Sequence, residues 1–310
     1  EMDKARAAAE MLSPDGSSAS VRTELLARIA TKARATPAPN VKTGAAAALF
    51  EMAASLATEE ENDLGPLLYD QLALHLAPNF PQAQILLAEL EQHWGRLEEA
   101  VATLQSVDSS SVFRTTAVRD AMADLDRLGR TEDAIKMGKP VVAAHPEDID
   151  LLLFQADLIR QTPRYSEAIQ AYDAILAHAP ATSDRRGLAL YHRGVARERS
   201  HDWPHAEADL QAALLLRPDD PSLLNYLAFS WADQGVNLDR ARTMLERAVQ
   251  LVPDDGAIID SLGWVMFRQG DYEDAVKKLE RAVELESDDA TVNDHLGDAY
   301  WRVGRQIEAR

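Results

Sequence analysis

Small and large apolar residues recur at fixed offsets along the last third of the chain. Leu262-Gly263 followed by Met266 returns 34 residues later as Leu296-Gly297 followed by Tyr300, and the corresponding upstream slots hold Leu227-Ala228 and Trp231. Each copy continues with a glycine (Gly235, Gly270, Gly304) and an alanine (Ala241, Ala275, Ala309). A leucine stands four residues on where the chain allows it (Leu245, Leu279), then a further alanine (Ala248, Ala282). Apolar positions spaced three and four apart predict amphipathic helices, and a glycine between two such runs predicts a turn. Each copy therefore reads as two antiparallel helices, A and B. Gly263 and Ala275 let the pair approach closely, and Leu262, Met266 and Leu279 fill the space between. Pro253 stops helix B because it has no amide hydrogen to donate.

The offsets can be followed upstream. Residues 187–220 carry Gly194, Ala206, Leu210, Ala213 and Pro218 in the same slots; 149–186 carry Ala156, Ala168, Tyr172 and Pro180; 115–148 carry Met122, Gly129, Ala134, Val141 and Pro146. Residues 81–108 fit through Ala88, Gly95, Ala100 and Leu104 until Ser109-Ser110-Ser111 intervenes. The pair near 43–78 ends at Pro78 but replaces the short turn with Glu59-Glu60-Glu61-Asn62-Asp63. Before it, Asp3–Met11 and Ser20–Arg34 predict two more helices, split by Ser13-Pro14-Asp15-Gly16, and Thr36-Pro37-Ala38-Pro39-Asn40 is the clearest break. The organisation expected is N-terminal helices over 1–40, degenerate repeats over 41–114 and regular repeats over 115–310. The last five regular repeats are 149–186, 187–220, 221–255, 256–289 and a shortened 290–310.

A period of about 34 with W-x2-L-G-x2-Y, A-x3-F and P at set offsets resembles the tetratricopeptide repeat. The resemblance implies an all-α, right-handed superhelix of about seven to eight helical hairpins, in which no repeat can bury its apolar face alone. It also implies a non-enzymatic scaffold that binds protein or peptide partners in a concave groove. In that family positions 2, 5, 9, 12 and 13 of helix A line the groove. The carry-over nominates Tyr191, Arg199, Asn225, Phe229, Asp260, Trp264, Phe267, Arg268, Asp294, Asp298, Trp301 and Arg302, with Val195, Glu198 and Asp233 alongside. Aromatic and arginine side chains are the types that anchor protein interfaces. The alternative is that Trp264 and Trp301 pack between neighbouring A helices. Chaperone-binding members clamp a peptide carboxylate with a lysine and two asparagines; the slots here hold Tyr191, Val195, Asn225, Phe229, Asp260 and Trp264, so that clamp is not formed.

Net charge is −19, from 32 basic and 51 acidic residues. Such a field argues against nucleic acid and anionic membrane as partners; solvated outer faces account for the acid itself. There are no cysteines, which removes disulfides, thiolate metal sites and cysteine nucleophiles together. No apolar run approaches the ~20 residues that span a bilayer. His201 and His205 have the i, i+4 spacing of a helical metal pair, but Pro204 lies between them and no further ligand is near. Asp219-Asp220, Asp254-Asp255 and Asp288-Asp289 recur at one register position, just before helix A, and are better read as caps favouring the helix dipole than as calcium ligands. No cofactor, metal or catalytic residue is nominated.

A narrower resemblance rests on Leu224-Asn225-Tyr226-Leu227-Ala228, Asp233-Gln234-Gly235, Ile259-Asp260-Ser261-Leu262-Gly263-Trp264 and Asn293-Asp294-His295-Leu296-Gly297-Asp298-Ala299-Tyr300-Trp301. These strings resemble the C-terminal repeats of large proteobacterial envelope tetratricopeptide lipoproteins. That group includes an adaptor that presents cell-wall hydrolases to a periplasmic processing protease. The resemblance implies a location in the periplasm or at the outer membrane, and an envelope protease or cell-wall enzyme as partner. The alternatives are a cytoplasmic assembly scaffold and the regulatory arm of an enzyme whose catalytic domain lies outside this sequence. The sequence stops about one turn into a B helix, so Leu296, Ala299, Tyr300 and Val303 are expected to lie uncovered and to pair two copies as a homodimer.

Overall fold

The structure, a computed structural model, describes residues 40–57 and 64–310. The helices expected over Asp3–Met11 and Ser20–Arg34, the break at Thr36–Pro39 and the acidic turn at Glu59–Asp63 lie outside the described residues. Among the described residues all regular structure is helical, as the spacing of apolar positions predicts.

The helices gather into two compact units, Glu1–Thr162 and Pro163–Arg310. The first contains α1 (Val41–Leu56), α2 (Gly65–Leu76), α3 (Pro81–His93), α4 (Leu97–Gln105), α5 (Arg114–Arg127), α6 (Thr131–Ala144) and α7 (Ile149–Arg160). Asn40 caps α1 in a reciprocal box: its Oδ1 accepts from the Thr43 amide at 3.0 Å while Thr43 Oγ1 accepts from the Asn40 amide, so two otherwise orphaned donors are satisfied. Residues 108–113 form turns in which Asp108 accepts from the Ser110 amide and hydroxyl, and Arg114 donates to the carbonyls of Gln105 and Val107. Pro140 sits inside α6 on its exposed side.

The second unit contains α8 (Tyr165–His178), α9 (Asp184–Arg199), α10 (Trp203–Leu216), α11 (Pro221–Gln234), α12 (Leu238–Leu251), α13 (Gly256–Gln269), α14 (Tyr272–Leu285) and α15 (Ala290–Arg302). α9, α11 and α13 each pack on the B helix that follows, and α11 and α13 also pack on the next A helix. The repeat slots form the core: Leu227, Ala228, Trp231, Leu245, Leu262, Leu279 and Ala299 are buried in one cluster. A Cβ at Gly263 would stand 2.7 Å from Leu279 Cγ, so only glycine admits this approach of α14 to α13. The turns at Gly235, Gly270 and Gly304 take φ of 72°, 90° and 83°, the left-handed region in which glycine carries no Cβ penalty.

Acidic pairs divide their work. Asp220 accepts from the Leu223 amide, Asp255 from the Ile258 amide and Asp289 from those of Thr291 and Val292, each capping an A helix. The preceding carboxylates Asp219 and Asp254 instead face Arg247 (2.8 Å) and Arg281 (3.2 Å) on the next B helix. The two histidines do not share a helix face. His201 sits in a turn with φ 64°, whereas Pro204 is in the first turn of α10, and His205 bonds to Asp202.

At the C-terminal end residues 306–309 make a single turn, in which the Ala309 amide donates to the Arg305 carbonyl at 3.1 Å in the register that begins α12 and α14. The shortened B helix thus starts where expected, but the apolar face expected to lie uncovered is in part covered. The segment folds back, so that a Cβ at Gly297 would lie 3.6 Å from the Ala309 carbonyl, and Arg305 pairs with Glu280 at 2.8 Å. Leu296 and Ala299 are consequently buried, and the large apolar side chains left exposed at this end are Trp301 and Ile307.

Candidate protein-binding face

The nominated groove residues lie on successive A helices of the second unit, and they separate into three kinds of surroundings. Helix periodicity brings Phe229 on α11, Trp264 on α13 and His295 on α15 together, since the three helices pack side by side. Trp264 is stacked between two rings: Phe267 at a centroid distance of 5.0 Å and an interplanar angle of 8°, and His295 at 4.2 Å and 15°. Phe229 approaches the other side of His295 at 6.3 Å. Offset parallel rings at these distances contribute beyond their buried area.

Asp260, expected on the groove wall, is instead buried, with both carboxylate oxygens about the His295 Nδ1 at 3.0 and 2.9 Å. His295 fixes Asp260 from below and offers a flat face to Trp264. Its role was not read from the sequence. The repeat register pairs Asp260 with Asp294, and His295 stands one residue further on, in the slot of Ser261. A histidine amid an aromatic stripe was the available signal.

A second group is tied up at the edges. Tyr191 meets Tyr226 edge-on at 5.9 Å, and the Tyr226 hydroxyl donates to Glu198 at 3.0 Å. Burial, with the nearby Glu198 carboxylate, pushes the Tyr226 phenol well above the ordinary tyrosine range. Exposed Arg199 lies 3.7 Å from the same carboxylate. Arg302 rests on Tyr272, 4.5 Å from the ring centroid, and donates to its hydroxyl. Arg268 does not reach along the stripe: it lies over Trp264 at 5.9 Å and donates to the main-chain carbonyl of Asp233. Asn225 is half-buried, and its Oδ1, like Trp264 Nε1, has no hydrogen-bond partner.

The third group faces solvent. Asp294, Asp298 and Trp301 occupy i, i+4 and i+7 of α15 and therefore one face of that helix; all three are exposed, Trp301 by 54%. The two tryptophans thus take opposite parts of the alternative posed by the sequence, Trp264 in a stack and Trp301 in water. Among the described residues no three histidine, aspartate or glutamate side chains converge as a metal site would need.

Comparison with known proteins places these features. The family model for the tetratricopeptide repeat matches residues 124–183 and 186–256, and a second, described as TPR repeat, matches 263–304; together they cover more than half of the chain. The TPR repeat-containing protein PA4667 of Pseudomonas aeruginosa is 32% identical over 150 residues, which is 48% of this chain and 25% of that protein. The chain thus spans about a quarter of the length of this curated relative. The crystal structure of a tetratricopeptide repeat protein from Parabacteroides merdae superposes with a TM-score of 0.61 at 18% identity, covering 83% of this chain and 99% of that one. MamA of Desulfovibrio magneticus superposes with a TM-score of 0.48 at 21% identity, over 57% of this chain and 97% of that chain. The repeat slots, the helix pairs and the two family models agree: the chain belongs to the tetratricopeptide repeat family.

Proposed function

We propose that the chain is a scaffold that holds a protein partner against the A-helix face of its second unit, and that it serves as an adaptor in the periplasm or at the outer membrane. The observation that carries the binding reading is the exposed face of α15. Trp301 stands in water beside Asp294 and Asp298, on a platform held from behind by the Trp264–His295–Asp260 stack. Exposed tryptophan is costly to hydrate and is enriched at the centres of interfaces. Two carboxylates next to it favour a partner segment carrying lysine or arginine, which can both pair with acid and lie over the indole. The envelope assignment rests on the resemblance of the C-terminal strings to envelope lipoproteins.

The binding reading is tested by Trp301→Ala combined with Asp298→Ala. Photo-crosslinking from position 294 in native cells should yield a defined partner, and the double variant should bind the purified partner at least tenfold more weakly, with helical circular dichroism unchanged. Undiminished affinity would remove this face from consideration. Fractionation of cells expressing the full-length gene separates the adaptor from a cytoplasmic scaffold: recovery in the cytosol would overturn the envelope assignment and leave the binding face untouched.

A further inference from the structure

The A–B turn at the end of α11 is one residue longer than the one that follows it. Gly235-Val236-Asn237 precedes α12, whereas Gly270-Asp271 precedes α14. Asn237 takes φ 51°, left-handed for a residue with a side chain, and its side chain makes no cap to the helix it begins. The longer turn, the first turn of α12 and the residues Arg268–Asp271 border a surface cleft of about 790 Å3.

Three guanidinium groups line it: Arg240, Arg242 and Arg268. Arg242 is neutralised, with Glu246 at 3.1 Å and Asp271 at 2.7 Å. Arg240 has no carboxylate within 4 Å among the described residues; its guanidinium lies over the Trp231 ring, 4.8 Å from the centroid. Arg268 also lacks an acidic partner, its recorded bond running to a neutral main-chain carbonyl. Gly235 makes room for it, since a Cβ there would stand 2.9 Å from Arg268 Nη2. The carboxylate of Asp239, which also borders the cleft, is held by the Gln269 amide at 2.9 Å. Two unneutralised guanidinium forks are therefore held against indole faces in one cleft of a chain whose net charge is −19. Arginine forks held this way lose little freedom when they meet a planar carboxylate, and charge-assisted pairs of that kind are the stronger ones.

We propose that this cleft recognises an acidic segment of a partner protein, whose carboxylates engage Arg240 and Arg268. It lies at the turn end of the repeats, apart from the α15 face, and shares with the binding reading above only the premise that the partner is a protein. The net negative field of the whole chain repels an acidic peptide, so saturable binding of one requires a local cationic site and is not mimicked by general attraction.

The test titrates the intact chain with an end-blocked hexaglutamate peptide by calorimetry. Single-site binding is expected, weakening with added salt and at least tenfold weaker in Arg240→Gln and in Arg268→Gln. Because Arg268 also lies over Trp264, and Arg240 over Trp231, Arg240→Glu repeats the test with the charge reversed, and circular dichroism reports helix content for each. Trp301→Ala should bind the peptide as the parent does, which keeps failure of this site distinct from failure of the α15 face. Absence of peptide binding to the parent would overturn the proposal, as would equal affinity in the Arg240 variants. Displacement of the peptide by inorganic phosphate at equimolar concentration would also overturn it, assigning the cleft to phosphate.

Discussion

Asp70 in the first unit and Asp209 in the second are both buried carboxylates, 0% and 5% exposed, and the molecule treats them oppositely. Asp209 receives Arg193 at 2.6 Å and Arg197 at 2.7 Å, one helical turn apart on α9, and Arg193 also reaches Asp173. Neither oxygen of Asp70 has a hydrogen-bond partner among the described residues, and burial pushes its carboxyl up to about 7. Partial burial likewise raises the Asp120 carboxyl in the first unit, although Arg119 beside it works the other way. Burial of Asp209 is matched by two cations, whereas burial of Asp70 is left to protonation.

That comparison is broken most directly by making one substitution twice. Asp209→Asn leaves Arg197 without its counter-charge and Arg193 with Asp173 alone, and should cost about 3 kcal/mol. Asp70→Asn removes a charge that has no partner and should raise stability by about 2 kcal/mol at pH 8, less than the full linkage because the new amide is also unpaired. Since the folded state holds the Asp70 proton up to about pH 7 and the unfolded state releases it near 3.8, the parent's stability should fall as pH rises between those values and level off above them. Asp70→Asn should flatten that slope. Urea unfolding of the three proteins from pH 4 to 8 checks both signs, and destabilisation by both substitutions would dissolve the contrast.

A second contrast concerns how each unit fills the space between helices A and B. In the second unit a glycine on A faces a leucine sixteen residues later: Gly194 with Leu210 and Gly263 with Leu279. In the 115–148 pair of the first unit the order is inverted. Met122 takes the small slot on α5, and Gly138, sixteen residues on, takes the large one on α6; a Cβ there would stand 2.6 Å from Met122 Cε and 2.1 Å from Gln155 Oε1. Gly138→Leu and Gly263→Leu should each cost about 2–3 kcal/mol by overpacking. Met122→Gly should recover at least half of the loss in the Gly138→Leu background, as contacting residues couple. Additive effects of Met122→Gly and Gly138→Leu in a double-mutant cycle would show that the two do not share one space.

These cases mark what could be read from the chain beforehand. Spacing alone located the A and B helices and the small slots at Gly194 and Gly263, because helix pairing at close range admits few residue types. The Met122/Gly138 exchange was visible too, but only to a reading that compares the two slots jointly and does not score each against a consensus. The face was legible in part. Offsets place residues on a side of a helix, so Trp301, Asp294 and Asp298 fell where the register put them. The offsets do not say how far a long side chain turns, and Arg268 reaches the neighbouring turn in place of the stripe. Nor do they show that Asp260 is withdrawn by a histidine one helix away, since that bond depends on how α13 and α15 settle together.

The smallest effects should come from the arginines in or just after the B helices that pair with the aspartates flanking the A helices, and they sharpen the account of the second unit. Arg217 and Arg281 make similar pairs on paper, Arg217 with Asp184 and Asp220, Arg281 with Glu284 and Asp254. Their surroundings differ. The Arg217 side chain is 23% exposed, and its stem lies where a Cβ on Gly187 would be, 2.8 Å from Cδ; the Arg281 side chain is 48% exposed and its partners lie in water. An exposed pair gains little in high dielectric and loses that to salt, while a packed stem contributes apolar contact that salt does not screen. Arg217→Ala should therefore cost about 1 kcal/mol, most of it surviving in 0.5 M added salt, and Arg281→Ala should leave the urea midpoint unmoved. The informative control is Arg217→Met, which keeps the stem and drops the charge. Near-parental stability in that variant would assign the contribution to packing on Gly187, whereas a loss equal to that of Arg217→Ala would assign it to the carboxylates and sink the packing account.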